Sequence, residues 1–220
     1  MKIALLGAGK TGKKVIELHP NTIVFNSSNK PTLAKLKECD VVISFLAGDV
    51  FFKYIDLLLA SRLPVITGST GFSWPKDIEQ KINDEKLNWV YAHNFSLGMN
   101  IVKSMIETLS KAGQLYPECQ FNIHDIHHSK KLDAPSGTAL SWKDWLNKEC
   151  EISSERTGDV IGYHHLEMHS QFENIKIIHE ATDRSLFASG ALWAAQLLFK
   201  QQQTYGFIAF NKLVTQYLKL

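Results

Sequence analysis

The chain has 220 residues and a formal net charge of +2, with 45% apolar and 21% charged residues, an ordinary composition for a folded globular protein. That balance supplies no basic stripe for nucleic acid, and no stretch approaches the ~20 apolar residues of a membrane span. Cys39, Cys119 and Cys150 are scattered without paired spacing, which fits a reducing compartment and argues against a disulfide framework or a zinc ribbon.

The N-terminal MKIALLGAGK runs into glycines rather than a cleavage site, so a cytoplasmic protein is expected. Strand and helix signals then alternate, the pattern of an α/β protein with a parallel sheet. Ile3–Leu6 reads as a buried strand, Lys10–Leu18 as a helix stopped by His19-Pro20-Asn21, and Thr22–Phe25 as the second strand. Pro31 suits the first turn of a helix over Thr32–Glu38. Val41–Leu46 is a central strand, Phe51–Ala60 a helix, Leu63–Thr67 a strand, Asp77–Lys86 an exposed helix and Asn88–Ala92 a further strand.

Gly7-Ala8-Gly9-Lys10-Thr11-Gly12 fits G-x-G-x-x-G between the first strand and the first helix. Gly7 permits the tight turn, Gly9 lets the backbone approach a pyrophosphate, and Gly12 allows close helix–strand packing. The helix start adds oriented N–H groups and a partial positive charge. An NAD-selective site carries an acidic residue at the end of the second strand, but here the chain reads Phe25-Asn26-Ser27-Ser28-Asn29-Lys30. Without a carboxylate to repel a 2′-phosphate, NADPH is slightly favoured and NADH remains usable.

From about Phe95 strict alternation stops. Met99–Ala112 is an amphipathic helix, Phe121–Ile126 a strand, Gly137–Glu149 a helix, Ile175–Ala181 a strand and Ala188–Lys200 a helix. The expected organisation is a Rossmann dinucleotide-binding domain over residues 1–95, to which 190–220 returns. A smaller α+β substrate-binding and oligomerisation domain spans 96–189.

Chemistry concentrates in His127-His128-Ser129-Lys130-Lys131-Leu132-Asp133-Ala134-Pro135-Ser136-Gly137-Thr138. Ser136 is an N-cap candidate, so the N–H groups near Gly137 and Thr138 can face an anion, with lysines alongside. A histidine titrating near neutrality can exchange a proton with bound substrate, and a neighbouring lysine is a second proton source. Cofactor, anion cradle and acid/base pair together describe a reductase of a small acid.

The run HHSKKLDAPSGTA resembles the signature of the dihydrodipicolinate (4-hydroxy-tetrahydrodipicolinate) reductases of lysine and diaminopimelate synthesis. GAGKTG, TGSTGF at 67–72, AHNFSLGMN at 92–100, GDVIG at 158–162 and ATDRSLFASGAL at 181–192 agree in order, so the resemblance covers nearly the whole chain. It implies His127 and Lys131 as proton-transfer residues, with His128, Gly137 and Thr138 holding substrate carboxylates. It further implies a cofactor lined by Gly7–Gly12, by Gly68, Ser69 and Thr70, and by Ala92, His93, Asn94 and Phe95. The implied assembly is a homotetramer, and the implied substrate a small dicarboxylate. The chain departs from longer members in length and in its compact glycine loop.

A zinc cluster of His124, His127 and His128 is disfavoured, because no cysteine completes the set and the lysines repel a cation. His164, His165 and His169 miss the H-E-x-x-H spacing and read as surface or subunit-contact residues. Asp133 reads as a turn residue, and Trp142, Trp145 and Trp193 as packing residues. Two other functions are compatible with the glycine loop: a different Rossmann dehydrogenase of a small acid, and a non-catalytic NAD(P)-sensing module. Neither uses the His127–Thr138 run.

Overall fold

Short, largely apolar runs rich in Ile and Val form the first strands. In the computed structural model, which describes residues 1–116, 118–200 and 205–219, they are β1 (Ile3–Leu6), β2 (Thr22–Phe25), β3 (Val41–Ser44), β4 (Val65–Thr67) and β5 (Asn88–Tyr91). Between them lie α1 (Lys10–Leu18), α2 (Leu33–Leu36), α3 (Gly48–Phe52), α4 (Ile55–Ser61) and α5 (Ile78–Asp84). The next stretch contains α6 (Leu97–Ala112), β6 (Gln120–His127), α7 (Gly137–Leu146), β7 (Glu151–Arg156), β8 (Tyr163–His169) and β9 (Asn174–Glu180). The chain ends with α8 (Ser185–Lys200), β10 (Gly206–Ala209) and α9 (Phe210–Leu218). Residues 201–204 and 220 of the expected 190–220 return lie outside the described residues.

Two units emerge, one comprising Met1–Ser96 and Arg184–Leu220, the other Leu97–Asp183. The first holds a six-stranded parallel sheet in the order β10-β5-β4-β3-β1-β2. The chain moves from β1 to β2 on one side and resumes with β3 on the other. The carboxyl ends of β1 and β3 therefore form a topological switch point, where open α/β sheets bind ligands. Ala4, Leu6, Val42, Val65 and Trp89 join Phe51, Ile55, Leu58 and Ile82 in its core.

The second unit holds a four-stranded sheet ordered β7-β6-β8-β9, with β6 parallel to β7 and antiparallel to β8. Phe121, Ile123, Leu166, Met168 and Ile177 project from one face into a core with Met99, Ile106, Trp142 and Leu146. Among the described residues, no helix is long and apolar enough to cross a membrane.

Local geometry amends several sequence expectations. Thr32, with its side chain accepting the Lys35 N–H, caps α2, so Pro31 lies ahead of the helix rather than in its first turn. The single helix expected over Phe51–Ala60 is two, interrupted at Lys53-Tyr54. β7, β8 and β10 fall where the sequence pattern marks no strand.

Glycine permits the closest backbone approach in the first unit. A Cβ on Gly190 of α8 would lie 1.7 Å from the Phe95 carbonyl oxygen and 3.4 Å from the Phe210 ring. Gly190→Ala must therefore push α8 away from the backbone it packs on, lowering stability by about 1–3 kcal/mol. Chemical denaturation measures this, and a wild-type midpoint would contradict the packing.

Candidate active site

The first cluster of expected site residues lies at the carboxyl ends of the parallel strands. Backbone hydrogen bonds from Gly7 to Phe25, Phe45 to Leu6, Gly68 to Ser44 and Ala92 to Thr67 carry the ladders into the loops that follow β1, β3, β4 and β5. Gly7 sits at φ +92°, a left-handed conformation that favours glycine. A Cβ on Gly12 would fall 2.1 Å from the Gly7 carbonyl oxygen, so α1 can begin against its own loop only with glycine there. Gly9, the N-cap of α1, would meet nothing within 4 Å and makes no side-chain cap, and the first turn of α1 holds no acidic residue. Open space over uncapped N–H groups is what a pyrophosphate requires, so residues 7–12 fit a dinucleotide.

Thr67 Oγ1 accepts the Ser69 N–H at 3.2 Å, and the Ser69 and Ser44 hydroxyls lie 3.2 Å apart, which orders the loop of Gly68, Ser69 and Thr70. Gly48 N–H donates to the Thr70 carbonyl at 3.0 Å and ties that loop to the one after β3. Ala92 and Asn94 are half-buried and His93 is exposed. The Phe95 side chain is buried beside Phe45 and Phe210, so it packs in the core and only its backbone can serve a cofactor. After β2, Asn26 Oδ1 accepts from Ser28 N–H and Oγ–H and from Asn29 N–H, closing a turn in which Lys30 is exposed.

The second cluster is built on β6. Alternation sends Asp125 and His127 to the inner face behind Phe121 and Ile123, and the registers with β7 and β8 place Ser154, Arg156 and His164 beside them. Asp125 has no solvent exposure. It accepts from Ser154 Oγ–H at 2.7 Å, Arg156 Nη1 at 3.0 Å, His127 Nδ1 at 2.9 Å and the Ser136 N–H at 3.4 Å. Burial pushes its pKa up, but the Ser154 hydroxyl, the Arg156 charge and His127 together hold it below the ordinary carboxylate range.

Burial also lowers the pKa of His127, against the pull of the Asp125 carboxylate. The His164 imidazole stands 5.1 Å from it, ring to ring, with Nε2 3.4 Å from Ser136 Oγ. Burial, then the neighbouring His127, lowers the pKa of His164 to about 4.

Lys131 Nζ lies 2.7 Å from Asp133 Oδ1, and its N–H closes a turn on the His128 carbonyl. Asp133 is held below the usual carboxylate range by Lys131 first, and also accepts a backbone hydrogen bond from Gly137. Ser136 caps α7 as expected, accepting the Ala139 N–H at 3.1 Å. Gly137 is exposed with open space at its Cβ position, Thr138 is half-buried, and the first turn of α7 has no acidic residue.

His127, Lys131 and the α7 start thus share one connected stretch of backbone. Asp125, Ser154 and Arg156 are not among the sequence candidates, and His164, expected at the surface or in a subunit contact, is 4% exposed. The i, i+2 spacing of Asp125 and His127 on a strand was the available signal. His124 faces the opposite side, with Nδ1 2.7 Å from Ser153 Oγ, so it shares no centre with His127. Among the described residues no group of three His, Cys, Asp or Glu is placed to hold a metal.

Comparison with known proteins covers both units. The family model for the N-terminus of dihydrodipicolinate reductase matches residues 19–95, and that for its C-terminus matches residues 98–213. The glycine loop precedes the first match and rests on its own geometry. The chain is 33% identical over 222 residues to the 4-hydroxy-tetrahydrodipicolinate reductase of Christiangramia forsetii, covering 90% of this chain and 92% of that one. It is 30% identical over 224 residues to the enzyme of the same name from Thermosipho africanus, covering 98% and 99%. A solved dipicolinate-bound dihydrodipicolinate reductase from Paenisporosarcina sp. TG-14 shares the fold, with a TM-score of 0.76 at 19% identity over 95% of this chain and 97% of that one.

The buried imidazoles make the second unit acid-sensitive. His164 titrates at about 4 in the folded chain against an ordinary 6.5, so the unfolded chain binds its proton more readily. Its contribution to stability is full above about pH 6.5 and falls away toward pH 4, by about 3 kcal/mol in all. Denaturation midpoints across that window should fall more steeply for wild type than for His164→Gln. Parallel curves would refute the assignment.

Proposed function

The chain belongs to the dihydrodipicolinate reductase family, and from that membership we propose that it reduces 4-hydroxy-tetrahydrodipicolinate, or the dihydrodipicolinate formed from it, to tetrahydrodipicolinate with NAD(P)H in lysine and diaminopimelate synthesis. The observation that carries this reading is the joining of His127, backed by a buried carboxylate, to Lys131 and an open helix start within one loop.

Substrate carboxylates are held by His128 and by the N–H groups at Gly137 and Thr138, where aligned peptide dipoles favour a negative charge. An incoming carboxylate displaces Asp133 from both the Lys131 ammonium and the Gly137 N–H, or the ammonium donates a proton. His127 exchanges the proton that the ring gains on reduction. A dicarboxylate suits this segment because His128 and the α7 start supply two separate groups able to hold an anion. Support for a dicarboxylate comes from the fold relative solved with dipicolinate.

Gly7, Ala8, Gly9, Lys10, Thr11 and Gly12 would hold the pyrophosphate of a bound dinucleotide, and Gly68, Ser69, Thr70 and Ala92, His93, Asn94 and the Phe95 backbone would line the remainder. The bound nicotinamide supplies the hydride. NADPH is slightly favoured and NADH also used: the turn after β2 presents Ser27, Ser28 and Lys30 without a carboxylate. Assembly as a homotetramer belongs to the same reading and rests on the family resemblance.

Oxidation of NADPH and of NADH, followed with the aldehyde–pyruvate condensation product generated in situ, tests the activity, and substrate-independent rates alone would refute it. His127→Ala and Lys131→Ala should each lower kcat by at least ~100-fold. Lys30→Ala should raise KM for NADPH more than for NADH, and an equal effect on both would remove Lys30 from cofactor choice.

A further inference from the structure

A fixed partner on one ring nitrogen of His127 decides the tautomer and leaves the other nitrogen for a substrate. Its Nδ1 lies 2.9 Å from Asp125 Oδ2, and an ionised carboxylate can only accept, so Nδ1 carries the hydrogen. Nε2 is thereby the exchanging atom. A Cβ on Gly162 would come within 3.3 Å of that Nε2, so glycine at this position keeps the approach clear.

Asp125 is itself immobilised. Ser154 and the Ser136 N–H take Oδ1, while Arg156 shares Oδ2 with His127. Arg156 also donates through Nη2 to the Asp133 carbonyl at 2.5 Å, and Ser136 begins α7. The carboxylate that holds the imidazole therefore also holds both ends of the loop carrying Lys131 and the anion cradle.

We propose that Asp125 is a positioning residue for the reduction, fixing the Nδ1–H tautomer and direction of His127 and setting its place relative to the α7 start. This rests on the reading of His127 as the proton-transfer group. In the protonated imidazole both nitrogens carry hydrogen. Nε2 gives its proton to a substrate atom, the ring is left as the Nδ1–H tautomer bonded to Asp125, and solvent restores the Nε2 proton. Asp125 is not protonated in the cycle. Charged and titratable groups facing His127 are Asp125 on its own strand, Arg156 on β7, His164 on β8 with His179 on β9 beyond it, and Lys131 in the loop.

The test begins with the unaltered protein. Nitrogen-15 NMR, with the His127 signals assigned by their loss in His127→Ala, should show neutral His127 as the Nδ1–H tautomer; the Nε2–H tautomer would overturn the proposal without any variant at 125. Asp125→Asn should then lower kcat about 10–100-fold with little change in KM for substrate. The pH limb that reports His127 should also move to lower pH, because the charge favouring imidazolium is gone. If His127→Ala retains full kcat, the catalytic reading fails. If His127→Ala is impaired while folded Asp125→Asn keeps wild-type kcat, pH limb and tautomer, the positioning role alone fails.

Discussion

A carboxylate with no solvent exposure can stay charged only where donors replace the water it has lost. Asp125 meets that condition through a serine hydroxyl, a guanidinium, an imidazole and a backbone N–H drawn from β6, β7 and the start of α7. The requirement works in both directions. Each donor is held by the acceptor it satisfies, so strand register, helix start and ring orientation are specified together. Losing any one donor would leave part of a buried charge unmatched, which makes the arrangement all-or-none.

The first unit solves a different problem, how to expose backbone N–H groups without losing the packing behind them. Its answer is the omission of side chains at contact points. Gly12 faces the Gly7 carbonyl, Gly48 the Thr70 carbonyl, and Gly190 the Phe95 carbonyl. Each close approach sets a helix or loop against backbone, and the loop after β1 is lined by the uncapped N–H groups of α1 as well as by the Leu46 side chain. Such a lining suits polyanionic phosphate, which is recognised by N–H groups and helix dipoles more than by shape.

Much of the first unit was legible because its elements are punctuated locally. Ile3–Leu6, Lys10–Leu18 and Thr22–Phe25 have glycine or proline at their margins and agree with the observed bounds. The Phe51–Ala60 helix misled because Phe51, Ile55, Leu58 and Leu59 face one core across the break, and apolar spacing records burial rather than backbone hydrogen bonds. β7 and β8 escaped notice because Glu151–Arg156 is largely exposed and Tyr163–His169 alternates histidine and glutamate with its apolar residues. The same gap hid part of the site. His127, Lys131 and Ser136 lie on one continuous segment from the end of β6 to the start of α7, whereas Ser154, Arg156 and His164 reach Asp125 only through strand pairing, and register between distant segments cannot be read from periodicity alone.

The position of β10 bears on how the molecule is made. It completes the edge of the parallel sheet beside β5, yet every residue of the second unit is translated between those two neighbours. A chain leaving the ribosome can form β1 to β5 early, but it exposes the β5 edge until Gly206–Ala209 has emerged. The second unit, continuous from Leu97 to Asp183, has all its strands available sooner. Synthesis thus favours closure of the second unit before the first, and truncation near the C-terminus would injure the unit that was begun first.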